Sequence, residues 1–221
     1  MVISLAACAE LTAQLYAYPN FAPYPGTVYT IEGVVFGVYK QGDIWLVTFR
    51  GSQTKEDFER DLASEAGTND PEIGEVPYGF NVGMPSVHKA LLDIVPADAK
   101  VIIKGHSLGG SRAANECARW LASGRPVLAL VRWGSPRAGT AKMTATFKAA
   151  GLADYNIRNE SDYVCDVPLK DFPGFPSWDH TAPFIQLNEP ALPGWGDFFK
   201  YHHFSPQYLP GTAKLALPPI G

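Results

Sequence analysis

An apolar run that ends in a glycine-flanked serine constrains this chain more than any other feature. Val101-Ile102-Ile103-Lys104 leads into Gly105-His106-Ser107-Leu108-Gly109-Gly110, and a small-residue helical stretch follows. The pattern is G-x-S-x-G between a predicted strand and a predicted helix. A serine at a sharp strand-to-helix turn adopts a strained backbone, so the residues two before and two after it must be small. Gly105 and Gly109 fill those places. The hydroxyl of Ser107 then stands clear of the sheet at a helix N-terminus, with the N–H of Leu108 pointing where negative charge would gather. The pentapeptide alone is a weak signal. Its strand–turn–helix setting makes Ser107 a candidate nucleophile.

Length and charge bound the rest. A chain of 221 residues suits one sizeable core and is short for two, so residues 1–221 are expected to form a single domain. The net charge of −4, without a basic run, argues against a nucleic-acid partner. Cys8, Cys117 and Cys165 are odd in number and widely spaced. They give neither a disulfide framework nor zinc spacing, and are expected to be buried thiols. The N-terminal stretch has no basic region, and Glu10 interrupts its apolar run. It reads as a helix over 2–17, not a signal peptide, and no run is long enough to span a bilayer. The compartment stays open between cytoplasmic as produced, export by a non-classical route and export with a signal since removed.

Strands and helices alternate along the chain. Gly33–Tyr39 and Ile44–Phe49 read as a hairpin joined by Lys40-Gln41-Gly42-Asp43. A helix through Phe58 and Leu62 follows, with Thr54 as its cap, and then a polar loop over 63–75. Pro85–Ile94 reads as a helix with Ser86 as a candidate cap. The strand at 100–104 and a helix to about Leu121 come next. Val127–Trp133 is a buried-type strand, 139–150 a helix, Tyr155–Arg158 a strand, and Thr181–Leu187 the last strand. A short helix is expected near Ser205–Leu209. This alternation predicts an α/β fold: a mostly parallel central sheet with helices on both faces and an N-terminal antiparallel hairpin.

Catalytic residues of an open parallel sheet gather beyond the C-terminal ends of its strands. There this chain places Arg50-Gly51-Ser52, Ser107, Gly134-Ser135-Pro136-Arg137 and Asn159-Glu160-Ser161-Asp162. A serine nucleophile needs a base and an orienting acid, in the order Ser, Asp, His for this sheet type. The late histidine is His202 or His203. His180 is an alternative, but it directly precedes the apolar stretch from Thr181 and reads as a strand-flanking residue. His106 sits inside the turn with its side chain directed away from the hydroxyl, which suits a structural hydrogen bond. His88 falls in a predicted helix as a surface or packing residue. His202 and His203 have no acidic or thiol companions at ligand spacing, so neither a metal nor a cofactor is expected.

At this point the chain resembles a known family. Val47-Thr48-Phe49-Arg50-Gly51-Ser52 with Asp57-Phe58 and Asp61-Leu62; Gly105-His106-Ser107-Leu108-Gly109-Gly110; Trp133-Gly134-Ser135-Pro136-Arg137-Ala138-Gly139; Asn159-Glu160-Ser161-Asp162-Tyr163-Val164; and His203-Phe204-Ser205-Pro206-Gln207-Tyr208-Leu209 are similar, in order, to segments of the class 3 lipases. The resemblance implies an α/β-hydrolase fold and a serine carboxylic-ester hydrolase acting on triacylglycerols or on short- to medium-chain esters. It also implies Ser107 as nucleophile, His203 as general base and Asp162 as its orienter, with Ser52 and Leu108 as the oxyanion hole. Three departures stand out. Cys165 replaces the usual proline after the aspartate motif, and Asp166 follows as a competitor of Asp162. Val76-Pro77-Tyr78-Gly79-Phe80 lacks a family histidine. Ser111-Arg112 occupies small, apolar places in the helix after the turn, and Arg112 there calls for a carboxylate partner.

The partners implied are small-molecule or lipid esters, with transient contact at a lipid interface and no protein partner. A phospholipase A1 or an acyltransferase would use the same triad, and a hydrolase-like binding module is the reading from another class. Phe172, Phe175, Trp178, Trp195, Phe198 and Phe199 are candidates for an acyl-pocket wall, against the alternative of plain core packing. In the 53–62 stretch only Phe58 and Leu62 are large and apolar, four apart, so it reads as a small or fixed lid. The expected outcome is a smooth rate curve as a short triglyceride passes its solubility limit. A sharp jump there would refute the small lid.

Overall fold

Runs of β-branched and aromatic residues form the strands, and their period-2 alternation decides which face each residue meets. The computed structural model describes residues 2–18, 25–52, 67–171, 173–193 and 201–221. In chain order the elements are α1 (Leu5–Ala17), β1 (Thr27–Ile31), β2 (Val34–Gln41), β3 (Ile44–Phe49), β4 (Gly67–Asp70), β5 (Gly74–Pro77), the one-turn α2 (Tyr78–Asn81), α3 (Met84–Ile94), β6 (Lys100–His106), α4 (Leu108–Ala122), β7 (Val127–Trp133), α5 (Ala141–Ala149), β8 (Ala153–Asn159), β9 (Phe184–Leu187) and α6 (Leu209–Ala213). A 3₁₀ turn spans Tyr163–Asp166, and a π-turn spans Phe204–Tyr208.

Among the described residues the main sheet has seven strands in the order β1-β2-β3-β6-β7-β8-β9. The first two pairings are antiparallel, and every pairing from β3 onward is parallel. Two apolar cores flank it. Val101 and Ile103 face the one shared with α3, α4 and α5. Ile102 faces the other, beneath α1 and the C-terminal turns. The expected sheet, with helices on both faces and an antiparallel start, is the one observed. Cys8, Cys117 and Cys165 are buried and free.

Two elements differ from expectation. β1 extends the hairpin by one edge strand, joined to β2 through Glu32 and Gly33, both at positive φ (48° and 80°) as a two-residue turn requires. None of its residues is fully buried, so it carries no apolar alternation to read. The stretch 63–75 reads as loop, but its described part belongs to the β4–β5 hairpin over residues 67–77. Asp70 organises it. Its Oδ1 accepts the N–H groups of Glu72 (3.0 Å) and Ile73 (3.2 Å), and its Oδ2 accepts from Asn81 Nδ2 (3.1 Å) and from the guanidinium of Arg119 on α4. A buried ion pair rather than an apolar stripe fixes this hairpin, which is why its pattern looked like loop. Arg119 is the fully buried arginine of α4; Arg112 is half-buried. Ser86 does not cap α3. Gly83 holds that place at φ 76°, and Ser86 Oγ donates to Glu32 Oε1 at 2.6 Å. The expected helix through Phe58 and Leu62, and with it the lid reading, lies outside the described residues.

Lys104 is the exception in an apolar strand. Period 2 places it under α1 beside Ile102 and His106, fully buried, with Nζ donating to Thr12 Oγ1 at 3.1 Å. Burial lowers its pKa from 10.5 to about 7. Between those values the unfolded chain binds the extra proton, so this group makes stability rise with pH across that window, and its full penalty stands at and below pH 7. Lys104→Met is therefore expected to stabilise the fold by on the order of a few kcal/mol at pH 7 or below, with the gain shrinking toward pH 10. Paired melts of the two proteins from pH 6 to pH 10 check this; a gain that does not shrink with pH would show that packing, not charge, is responsible.

Candidate active site

Ser107 lies between β6 and α4 with φ 57° and ψ −133°, a conformation that side chains rarely adopt. Packing on every side holds it there. Its N–H donates to the carbonyl of Trp133 on β7 at 2.9 Å. A Cβ at Gly105 would lie 2.1 Å from the carbonyl oxygen of Gly109, and one at Gly109 would lie 2.3 Å from that of Phe49. The strand, the helix and the loop after β3 thus approach with no room for a methyl group, as the steric reading of the pentapeptide requires. Ser107 caps the N-terminus of α4, so the N–H of Leu108 lies outside the helical hydrogen-bond ladder. Ser52 follows Gly51 in the loop that packs on this turn; a Cβ at Gly51 would come within 3.0 Å of Ser107 Cβ.

The histidine beside Ser107 is His202, not His203. His202 Nε2 is 2.9 Å from Ser107 Oγ, and Nδ1 is 2.8 Å from Asp162 Oδ2. His203 is brought to neither. The physical reason is parity: the chain is extended at His203 (φ −74°, ψ 129°), so neighbouring side chains point opposite ways. His202 and Phe204 share the buried side, while His203 is half-buried and gives its N–H to Gln207 Oε1 at 2.9 Å to open the π-turn. That signal was present in the sequence, since an aromatic two residues after a histidine in an extended stretch marks the inward face.

Asp162 is fully buried and fully engaged. Oδ1 accepts the N–H of Val164 at 3.0 Å, and Oδ2 accepts from both His202 Nδ1 and the hydroxyl of Tyr208. Tyr208 Oη in turn accepts the N–H of Asn159 at 3.1 Å. Burial and the neighbouring carboxylate push the Tyr208 phenol well above its usual pKa, so it stays a donor. Gly134, at φ 52°, leaves the space; a Cβ there would meet Asp162 Oδ2 at 2.8 Å and the His202 ring at 3.0 Å. Asp166 is otherwise occupied, in a bidentate pair with Arg158 (3.2 and 2.7 Å) and within 3.7 Å of Arg137.

The remaining histidines are hydrogen-bonded to groups other than Ser107 and Asp162. His106 Nδ1 meets Tyr16 Oη at 3.0 Å, and Nε2 meets the carbonyl of His202 at 2.9 Å. Burial holds it well below the usual imidazole pKa. His180 donates from Nε2 to the carbonyl of Cys165 at 2.7 Å, and burial brings its pKa to about 4. His88 is buried against Glu116 Oε1 at 2.8 Å. Of the aromatic candidates, Trp178 is core and Phe175 is exposed; Phe172, Trp195, Phe198 and Phe199 lie outside the described residues. Tyr16 and Tyr208 were not among the sequence candidates. Nothing local marks Tyr16, which lies 90 residues from His106.

Among solved structures the fold resembles three fungal lipases. They are a native propeptide complex of Rhizomucor miehei lipase (TM-score 0.66, 18% identity, 86% of this chain and 71% of that one), the mono- and diacylglycerol lipase of Aspergillus oryzae (0.62, 18%, 85% and 81%) and the lipase of Rhizopus microsporus var. chinensis (0.60, 21%, 76% and 71%). At these identities the likeness establishes the fold. No curated protein sequence matches the chain. The family model for lipase (class 3) matches residues 46–172, more than half of the chain, a span that holds the Arg50–Ser52 loop, Ser107 and Asp162. With that match on a sheet of this topology, the chain belongs to the class 3 lipase family of carboxylic ester hydrolases.

Proposed function

We propose that the chain hydrolyses acylglycerols and simple carboxylic esters through an acyl-enzyme, with Ser107 as nucleophile, His202 as general base and Asp162 as the orienter of the histidine. The observation that carries this reading is His202, which bridges Ser107 Oγ at 2.9 Å and Asp162 Oδ2 at 2.8 Å. Asp162 accepts the Nδ1 proton, which leaves Nε2 free of hydrogen and aimed at the hydroxyl. As Ser107 Oγ attacks the ester carbon, its proton passes to His202 Nε2. The imidazolium is steadied by the Asp162 carboxylate, itself held by Tyr208 and Val164.

The tetrahedral oxyanion forms at the N-terminus of α4. The N–H groups of Leu108 and Ser52 receive it, with the helix dipole in the favourable sense. His202 then returns the proton to the leaving alcohol. Water repeats the sequence on the acyl-enzyme and frees the acid. No step requires a metal or cofactor. The match to a lipase family and the likeness to a mono- and diacylglycerol lipase support acylglycerols as the substrate class.

The test is hydrolysis of p-nitrophenyl esters from acetate to palmitate. Ser107→Ala and His202→Ala are each expected to lower kcat by about 10⁴-fold or more, whereas His203→Ala should stay within about threefold of wild type. The reverse ranking of the two histidine variants would return the base to His203. A wild type that neither turns over an ester nor reacts with a fluorophosphonate at Ser107 would sink the triad itself.

A further inference from the structure

The mechanism leaves Tyr16 and His106 unused, though both are buried against its parts. β6 turns Ile102, Lys104 and His106 toward α1, and α1 presents Cys8, Thr12 and Tyr16, four residues apart, along the same line. Thr12 meets Lys104 and Tyr16 meets His106. Tyr16 also reaches the loop after β3, where Gly51 N–H donates to its hydroxyl at 3.0 Å. A Cβ at Gly51 would lie 2.4 Å from that oxygen, so only glycine admits the approach.

These contacts have one consistent direction. The carbonyl of His202 can only accept, so His106 Nε2 carries the hydrogen of that 2.9 Å bond. A neutral His106 ring then presents Nδ1 as an acceptor, and Tyr16 supplies its hydroxyl hydrogen at 3.0 Å. The carbonyl of His106, at 3.4 Å, is the longer competitor for that hydrogen. Tyr16 Oη in turn receives the N–H of Gly51. The chain therefore runs Gly51 N–H to Tyr16, Tyr16 O–H to His106, His106 N–H to His202. Its first member precedes Ser52, a proposed oxyanion donor, and its last is the backbone of the proposed base. The two imidazoles also stack, with ring centroids 4.6 Å apart and planes 29° apart. A neutral His106 is therefore required beside a His202 that becomes charged during turnover. Burial favours that form.

We propose that Tyr16 and His106 are positioning residues that set the oxyanion loop and the base histidine in register with each other through this single hydrogen-bonded chain. The proposal rests on the triad reading above. Tyr16 acts through Gly51 and His106, so its loss falls on transition-state geometry rather than on ground-state binding.

The experiment is ester kinetics on full-length Tyr16→Phe, His106→Leu, His106→Gln and the Tyr16→Phe/His106→Leu pair. Melting curves and the ¹⁵N signature of the His106 ring accompany it. The expected result for Tyr16→Phe is a kcat lower by about 10- to 100-fold with KM within about twofold, comparable to weakening one oxyanion donor. His106→Gln, whose amide reaches the Nε2 position, should recover part of what His106→Leu loses. The double variant should lose little more than the worse single, as members of one chain do. The wild-type ring should show the neutral Nε2–H tautomer, held by the His202 carbonyl, and Tyr16→Phe should keep that tautomer while its Nδ1 resonance shifts to that of an acceptor without its hydrogen bond. Unchanged kcat with a lowered Tm, additive losses, or an unchanged Nδ1 resonance in Tyr16→Phe would reduce Tyr16 to a packing residue of α1 and overturn the proposal. If wild type and Ser107→Ala are equally inactive, the triad reading falls and takes this link with it; an active wild type with an indifferent Tyr16→Phe overturns the link alone.

Discussion

The contact between bare backbones around Ser107 is the constraint on which the site depends. Gly105 touches the Gly109 carbonyl, Gly109 touches the carbonyl of Phe49, and Gly110 lies against Ser135. The ends of β3 and β6 therefore meet the first turn of α4 with no side chains between them, and the Ser135 side chain closes the side toward β7. A positive φ at a non-glycine residue is unfavourable by itself and persists only where its surroundings over-determine it. Here the Ser107 N–H is bound to Trp133 on the next strand, and α4 starts immediately afterward. The strained turn, the helix start and the approach of the Arg50–Ser52 loop are one arrangement, and none can shift while the others stay.

Two carboxylates four residues apart show how environment, not residue type, divides labour. Asp162 sits at the start of the 3₁₀ turn and Asp166 at its end. Asp162 is surrounded by the N–H of Val164, the hydroxyl of Tyr208 and the ring of His202. Its charge is directed to the imidazole because, among the described residues, no formal cation is hydrogen-bonded to it. Asp166 meets Arg158 and Arg137, which neutralise it and leave nothing for a histidine to use. The pair of arginines also fixes the far end of the turn, because Arg137 donates to the carbonyls of Asp166 and Pro168. A carboxylate dedicated to structure thus steadies the backbone that presents the other one.

The sequence was informative where a local period or a steric need speaks for itself. β6, β7, α3 and α4 follow from apolar spacing, and the glycines around Ser107 from the room a sharp turn needs. It was silent where long-range polar pairs decide. β4 and β5 contain Gly-Thr-Asn-Asp and Gly-Glu-Val-Pro, which lack strand character; Asp70 and Arg119 make them a hairpin from 49 residues apart. The choice between His202 and His203 turned on parity, and a resemblance read by motif alignment places a histidine only to within a residue. One step changes the face entirely. Trp178, grouped with the aromatics near the site, was absorbed by the core.

The same parity argument explains why the start and end of the chain both reach the middle of the sheet. Odd residues of β6 face the helix just before it, α3, and α4 and α5 after it, so that core is built largely from neighbouring segments. Even residues face α1 and the turns after residue 201, which are about a hundred residues away in opposite directions. Ile3 and Ile220 pair through reciprocal backbone bonds of 2.8 and 2.7 Å, closing that layer. The face that supports His106, and through it His202, is thus the one assembled from the most distant pieces. Loop closure over such lengths is opposed by entropy until the burial it permits is complete. The strand and helix around Ser107 are held by local packing, whereas His202 and its supports come together only when the termini have docked. Opening of α1 or of the C-terminal turns would therefore disperse His202 and its supports while leaving Ser107's own turn in place.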